Sequence, residues 1–166
     1  MKRYCMAPLV IGMFFGFHSV GQAATEPVRP GTIQFAENMD PSGLPSGKQC
    51  TVSGKEGGGF KNIVMSDTTC KNDSASYFKF NNVPSTATVM FNSEANCRDL
   101  DDWRFRVLTI KQPTTTGWMS IEELKAHAEG DVVTAGLELD QHIYNHGNIH
   151  GKLSCVRIWL PGPEYP

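Results

Sequence analysis

Alternation of apolar and polar residues, the period of a half-buried strand, organises this chain from about residue 32 onward. The clearest run covers residues 101–110, where Trp103, Phe105, Val107 and Thr109 share one face. Shorter runs occur at 32–36, 49–53, 60–65, 77–80, 86–91, 132–139 and 153–160. Clusters of Gly, Pro, Asn, Asp and Ser separate them, so the pattern predicts seven to eight short strands. Gly57, Gly58 and Gly59 stand between two of these runs. No helix and no Lys-Ser/Thr pair follows them, so they read as a hairpin or folded loop with positive φ, not a phosphate cradle. One short helix is predicted at 120–128, with Ser120 as N-cap, Glu123 completing a capping box and Gly130 as the stop. The expected class is all-β, a sandwich or barrel carrying one short helix.

The ends of the chain modify this picture. Lys2 and Arg3 precede an apolar run at 6–17 that is too short to span a bilayer, and Gly21, Ala23 and Ala24 supply small residues for cleavage. Residues 1–24 therefore read as a secretory signal peptide, and a secreted or periplasmic location is expected. Residues 25–47 contain Pro27, Pro30, Pro41 and Pro45 and predict a Pro/Gly-rich N-terminal arm lying on a single domain, 48–166. No later segment reads as a transmembrane span. Removing Lys2 and Arg3 with the leader takes the formal charge from −2 to −4. That balance argues against nucleic acid or an anionic membrane as partner. Cys50, Cys70, Cys97 and Cys155 remain, an even number that in an exported chain implies two disulfides with three pairings to choose from.

Two passages share one build. Asn72-Asp73-Ser74-Ala75-Ser76 runs into the strand at 77–80, and His150-Gly151-Lys152-Leu153-Ser154 runs into the strand at 155–159. In each, a polar or small pair is followed by a serine four residues after its first member. They read as two copies of one unit, and the pairing Cys50–Cys70 with Cys97–Cys155 is favoured because each bridge then closes one copy.

The first copy resembles the cation-binding signature of the βγ-crystallin superfamily, with Gly57-Gly58-Gly59-Phe60 where that family has a folded hairpin. The resemblance covers about residues 48–160. It implies a Greek-key sandwich of two related motifs, with calcium held by Asn72, Asp73, Ser76 and Ser154 and the serine of each unit serving the other's site. The sequence departs from the family at Tyr77, where a serine is usual, and at His150 and Gly151, where Asn or Asp would stand. The stretch 111–148 is also longer than a compact unit needs. One weak calcium site or none is therefore expected. Small exported members of this superfamily include protease inhibitors and antimicrobial toxins. The resemblance thus implies a binding protein with a protein partner, as inhibitor, toxin or protective partner protein.

Other chemistry is sparser. Gln112, Pro113, Thr114, Thr115 and Thr116 predict a stiff, extended partner-binding loop. His142, His146 and His150 stand four apart, but Asn145, Gly147, Asn148 and Gly151 predict a loop there instead of a metal-binding helix. An alternative function is a small exported hydrolase using this region with a nearby carboxylate, although no Gly-x-Ser-x-Gly elbow is present. A further alternative is a structural surface protein. Trp103, Trp118 and Trp159 could include a sugar-stacking platform, with core packing expected for Trp103 and Trp159.

Overall fold

The computed structural model describes residues 29–98 and 102–162. The segment expected to be a leader, 1–24, lies outside them. Among the described residues ten strands form two antiparallel sheets. In chain order they are β1 (Thr32–Met39), β2 (Pro45–Val52), β3 (Gly59–Val64), β4 (Tyr77–Asn81), β5 (Thr88–Asn92), β6 (Trp103–Thr109), β7 (Met119–Ser120), β8 (Val132–Thr134), β9 (Leu137–Tyr144) and β10 (Cys155–Leu160). The first sheet has the order β2-β1-β4-β7, and the second β3-β10-β5-β6-β9-β8.

The expected alternation builds the core. Along β6 the even pattern holds throughout, with Trp103, Phe105, Val107 and Thr109 buried. Ile33 and Phe35 of β1 and Phe78 and Phe80 of β4 point inward from the first sheet. Phe91 meets them from the second, with its ring 4.7 Å from Phe78 and 6.1 Å from Phe35. Burying each such ring contributes about 1.5–3 kcal/mol, so these contacts hold the sheets face to face.

The topology divides the chain into two halves, β1–β4 and β5–β10. Each half lends one strand to the other. β3 pairs with β10 in the second sheet, and β7 pairs with β4 in the first. Each lent strand runs directly into a 3-10 turn, Met65–Asp67 after β3 and Glu122–Ala126 soon after β7. The second half also carries an extra hairpin, β8 and β9, which extends its sheet beyond β6. This is what the long 111–148 stretch builds.

Three expectations change. Residues 25–47 are not an outlying arm: β1 is paired with β2 on one side and β4 on the other, and Phe35 is fully buried. The sandwich therefore begins by residue 32, not at 48. The prolines that mask this fall in harmless places, Pro41 in the β1–β2 turn and Pro45 at the first position of an edge strand. The predicted helix is a 3-10 turn without a capping box. Ser120 Oγ accepts only from Glu122 N, at 3.1 Å, and the bonds run Leu124 N to Ile121 O and His127 N to Leu124 O. Finally, the single run at 132–139 is broken by Gly136, whose φ of +90° turns the chain into the β8–β9 hairpin.

Both disulfides form as favoured. Cys50–Cys70 ties β2 to the loop before β4, and Cys97–Cys155 ties the loop after β5 to β10. Gly57, Gly58 and Gly59 adopt φ of +77°, +89° and +90° in a folded loop. Among the described residues no helix is long and apolar enough to cross a membrane.

Candidate functional site

The two repeated loops, 70–76 and 148–154, are held by matching main-chain bonds. Ser76 N donates to Ala36 O of β1 at 3.0 Å, and Ser154 N donates to Asn92 O of β5 at 3.0 Å. The carbonyls of the same serines accept from the residue just after each lent strand. Ile121 N reaches Ser76 O at 2.8 Å, and Met65 N reaches Ser154 O at 2.9 Å. The residue before each serine, Ala75 or Leu153, is fully buried. The second residue of each pair is left-handed, Asp73 at φ +53° and Gly151 at φ +65°. Aspartate and glycine are among the residues that tolerate this region. Sequence spacing thus translates into equivalent backbone positions.

Side chains then cross between the loops. Ser154 Oγ donates to Asp73 Oδ1 at 3.2 Å. In the reverse direction Gly151 N donates to Ser76 Oγ at 2.9 Å. The His150 ring packs edge-on against Tyr77, 6.4 Å between centroids. Asn72, Asp73 and Ser154 line one cleft of about 370 Å³, together with Ser93, Glu94, Asp102, Asn148 and Lys152. Of the four residues expected around calcium, three share this cleft. Ser76 is the exception, because its hydroxyl is turned to the second loop by Gly151 N.

The cleft is rich in oxygen. Asp73, Glu94 and Asp102 bring carboxylates, and Asn72 and Asn148 bring amides. Its one cation is Lys152, whose Nζ lies 3.8 Å from Asp73 Oδ2, with both side chains about half exposed. An ion pair so exposed stabilises little, but it occupies the position a bound cation would contest. Among the described residues no three His, Cys, Asp or Glu side chains are grouped closely enough to hold a metal ion by themselves. A cation here would need hydroxyl, amide or carbonyl oxygens as well, which suits a hard ion such as calcium. Glu94 is not singled out by the sequence, whereas Asp102 stands at the start of the 101–110 run and Lys152 inside the second copy of the motif.

The other candidate residues are not part of the cleft lining. His142 sits in β9, not in a loop; its ring stacks on Phe105 at 5.3 Å and its Nε2 is buried without a hydrogen-bond partner. His146 Nδ1 is exposed, 3.1 Å from Asp102 Oδ1. With His150 against Tyr77, the three imidazoles face three different neighbours. In the 112–117 segment, Thr114 and Thr116 are buried and cannot meet a partner directly. Thr114 exchanges main-chain bonds with Val83, and Phe80 N donates to Thr116 Oγ1 at 3.1 Å. Gln112, Pro113 and Thr115 remain exposed, with Gln112 Oε1 accepting from Ser85 N and Thr115 Oγ1 from Asn82 N. Trp103 is buried as expected, and its Nε1 donates to Asn148 O at 3.0 Å, steadying the second loop. Trp159 is not in the core. It alternates with the inward Ile158 and Leu160 and packs on exposed Phe60 across the outer face, 6.3 Å between rings.

No protein-family model, curated protein or solved structure matches this chain.

Proposed function

We propose that the protein is an exported binding protein of βγ-crystallin-like, Greek-key build, with one weak calcium site at Asn72, Asp73 and Ser154 and a protein as its partner. The crossed serine contacts carry this proposal, because Ser154 reaches Asp73 from the other half just as the family resemblance implies. The lent strands β3 and β7 support the two-motif reading, since each half completes the other's sheet. The two disulfides favour an oxidising compartment outside the cytosol.

The site is weak for two physical reasons. Asp73 is the only carboxylate in its loop, and the Lys152 ammonium must be displaced before a divalent ion can sit beside it. The second loop has Gly151 in place of a ligand, so one site per chain is expected. Sites with few charged ligands bind calcium at Kd of roughly 10⁻⁴–10⁻³ M. Calorimetric titration together with thermal melting tests this. Binding should be lost in Asp73→Asn and tightened in Lys152→Gln. Absence of both heat and any melting shift at millimolar calcium would end the proposal.

A further inference from the structure

A second cleft, of about 560 Å³, shares no residue with the first and lies on the outer face of the four-stranded sheet. Strand register fixes its floor. Gln34 of β1 stands opposite Thr51 of β2 and opposite Lys79 of β4. Phe78 pairs with Met119, so Trp118 continues the row beside Lys79. Gln34, Thr51 and Lys79 alternate with buried neighbours, and all three line the cleft with Trp118. They make a row across β2, β1 and β4 to the residue just before β7, about 14 Å long at ordinary strand spacing. Gln49 and Thr69 flank it. Gln49 Nε2 donates to Pro45 O at 3.2 Å and Thr69 Oγ1 to Gln49 O at 2.7 Å, which leaves Gln49 Oε1 and Thr69 Oγ1 as acceptors in the cleft lining.

The chemistry of this row is specific. It offers one half-buried indole, two amides, two hydroxyls and a single charge, Lys79, with no carboxylate in the lining. We propose that it binds a carboxylate-bearing oligosaccharide. Trp118 would stack on the C–H face of one ring, Gln34 and Gln49 would bond hydroxyls, and the Lys79 ammonium would pair with the sugar carboxylate. A peptide strand is a poorer occupant, because β1 and β4 at the floor are already paired on both sides and have no free ladder to offer. Nucleic acid would demand several cations where the lining holds one. The site is independent of the calcium proposal and can fail without it.

The test is calorimetry of the intact protein against a panel of uronate-containing oligosaccharides and their neutral counterparts. Acidic members should bind, and Trp118→Ala should abolish binding. Lys79→Gln should weaken the acidic ligands by about tenfold and leave the neutral ones unchanged. Trp159→Phe, on the other sheet, should change nothing. If Trp118→Ala does not fold, Gln34→Ala, an outward substitution, should weaken binding in its place. The proposal is overturned if no acidic member of the panel binds, or if binding survives loss of Trp118 or, where that variant does not fold, loss of the Gln34 amide.

Discussion

The loops at 70–76 and 148–154 share a scaffold and differ in chemistry. Each serine gives its N–H to the first strand of its own half and its carbonyl to the residue behind a strand lent by the other. Each pair ends on a left-handed residue. Yet one loop presents a carboxylate at that residue and the other presents nothing beyond Cα. The serines therefore serve the architecture through their main chain and the chemistry through their hydroxyls. The second role can disappear from one copy without disturbing the first. Asp73 accepts from Ser154, whereas Ser76 has only a peptide N–H to hold.

The largest expected effects concern the bridges that brace the two copies. Cys97–Cys155 spans 58 residues and Cys50–Cys70 spans 20. On the chain-entropy argument, removing the first as a double alanine variant costs about 4 kcal/mol and the second about 3 kcal/mol. Denaturant melts of both variants should rank them in that order, and the opposite ranking would locate the bracing in the first copy.

The two serines provide the next contrast. Ser76→Ala leaves the Gly151 N–H without its partner beside a buried side chain, at about 1–3 kcal/mol. Ser154→Ala deprives a carboxylate that is about half exposed, so solvent replaces most of the loss and the cost is nearer 0.5 kcal/mol. Equal losses would mean that the hydroxyls are more alike than their partners.

Restoring the missing ligand is subtler still. A Cβ at Gly151 would meet only Asp73 O at 3.8 Å and Ser74 O at 4.0 Å, both ordinary contacts. Its φ of +65° is close to the +53° that Asp73 already adopts. Gly151→Asp should fold at a cost of about 1 kcal/mol and, on the calcium proposal above, raise the stoichiometry from one to two per chain in calorimetry. A stoichiometry that stays at one would show that the second loop lacks more than a carboxylate.

The smallest effect lies at the β1–β2 turn, the first half's counterpart to the connection from β5 to β6. The Ser42 hydroxyl and the Leu44 N–H hold the Asp40 carboxyl below its ordinary 3.8. A lowered value means that the folded state gains stability above the unfolded pKa and loses it as pH falls through the folded one. NMR titration of Asp40 should find its midpoint below 3.8, with the turn loosening only under stronger acid.

Much of this was legible in the sequence. The 103–109 alternation became β6 in register, and the spacing of serines with cysteines anticipated both bridges and the facing loops. The rest depends on neighbours that no local pattern names. β1 sits inside its sheet because Tyr77 to Asn81 returns to pair with it some forty residues later, while the surrounding prolines suggest a loose tail. The capping signature at Ser120 opens a 3-10 turn instead of a helix, with Leu124 N on Ile121 O and His127 N on Leu124 O, and with Ile121 and Leu124 buried three residues apart. Trp159 faces outward because β10 buries the opposite parity, a choice set by β3 and β5 on either side. In the candidate site, Asn72, Asp73 and Ser154 follow from the repeat, whereas Glu94 enters the cleft from a loop without a motif and Asp102 from the position just before β6.

The lent strands have a consequence for cutting the chain. Each covalent bridge lies wholly within one half, so a single backbone break in the turn at 82–87 would leave two fragments with no bond between them. Neither fragment owns a complete sheet, since each keeps an edge that belongs to its sister. The two pieces should therefore be unable to stand alone yet able to reassemble when mixed, a split protein whose halves are obliged to find one another.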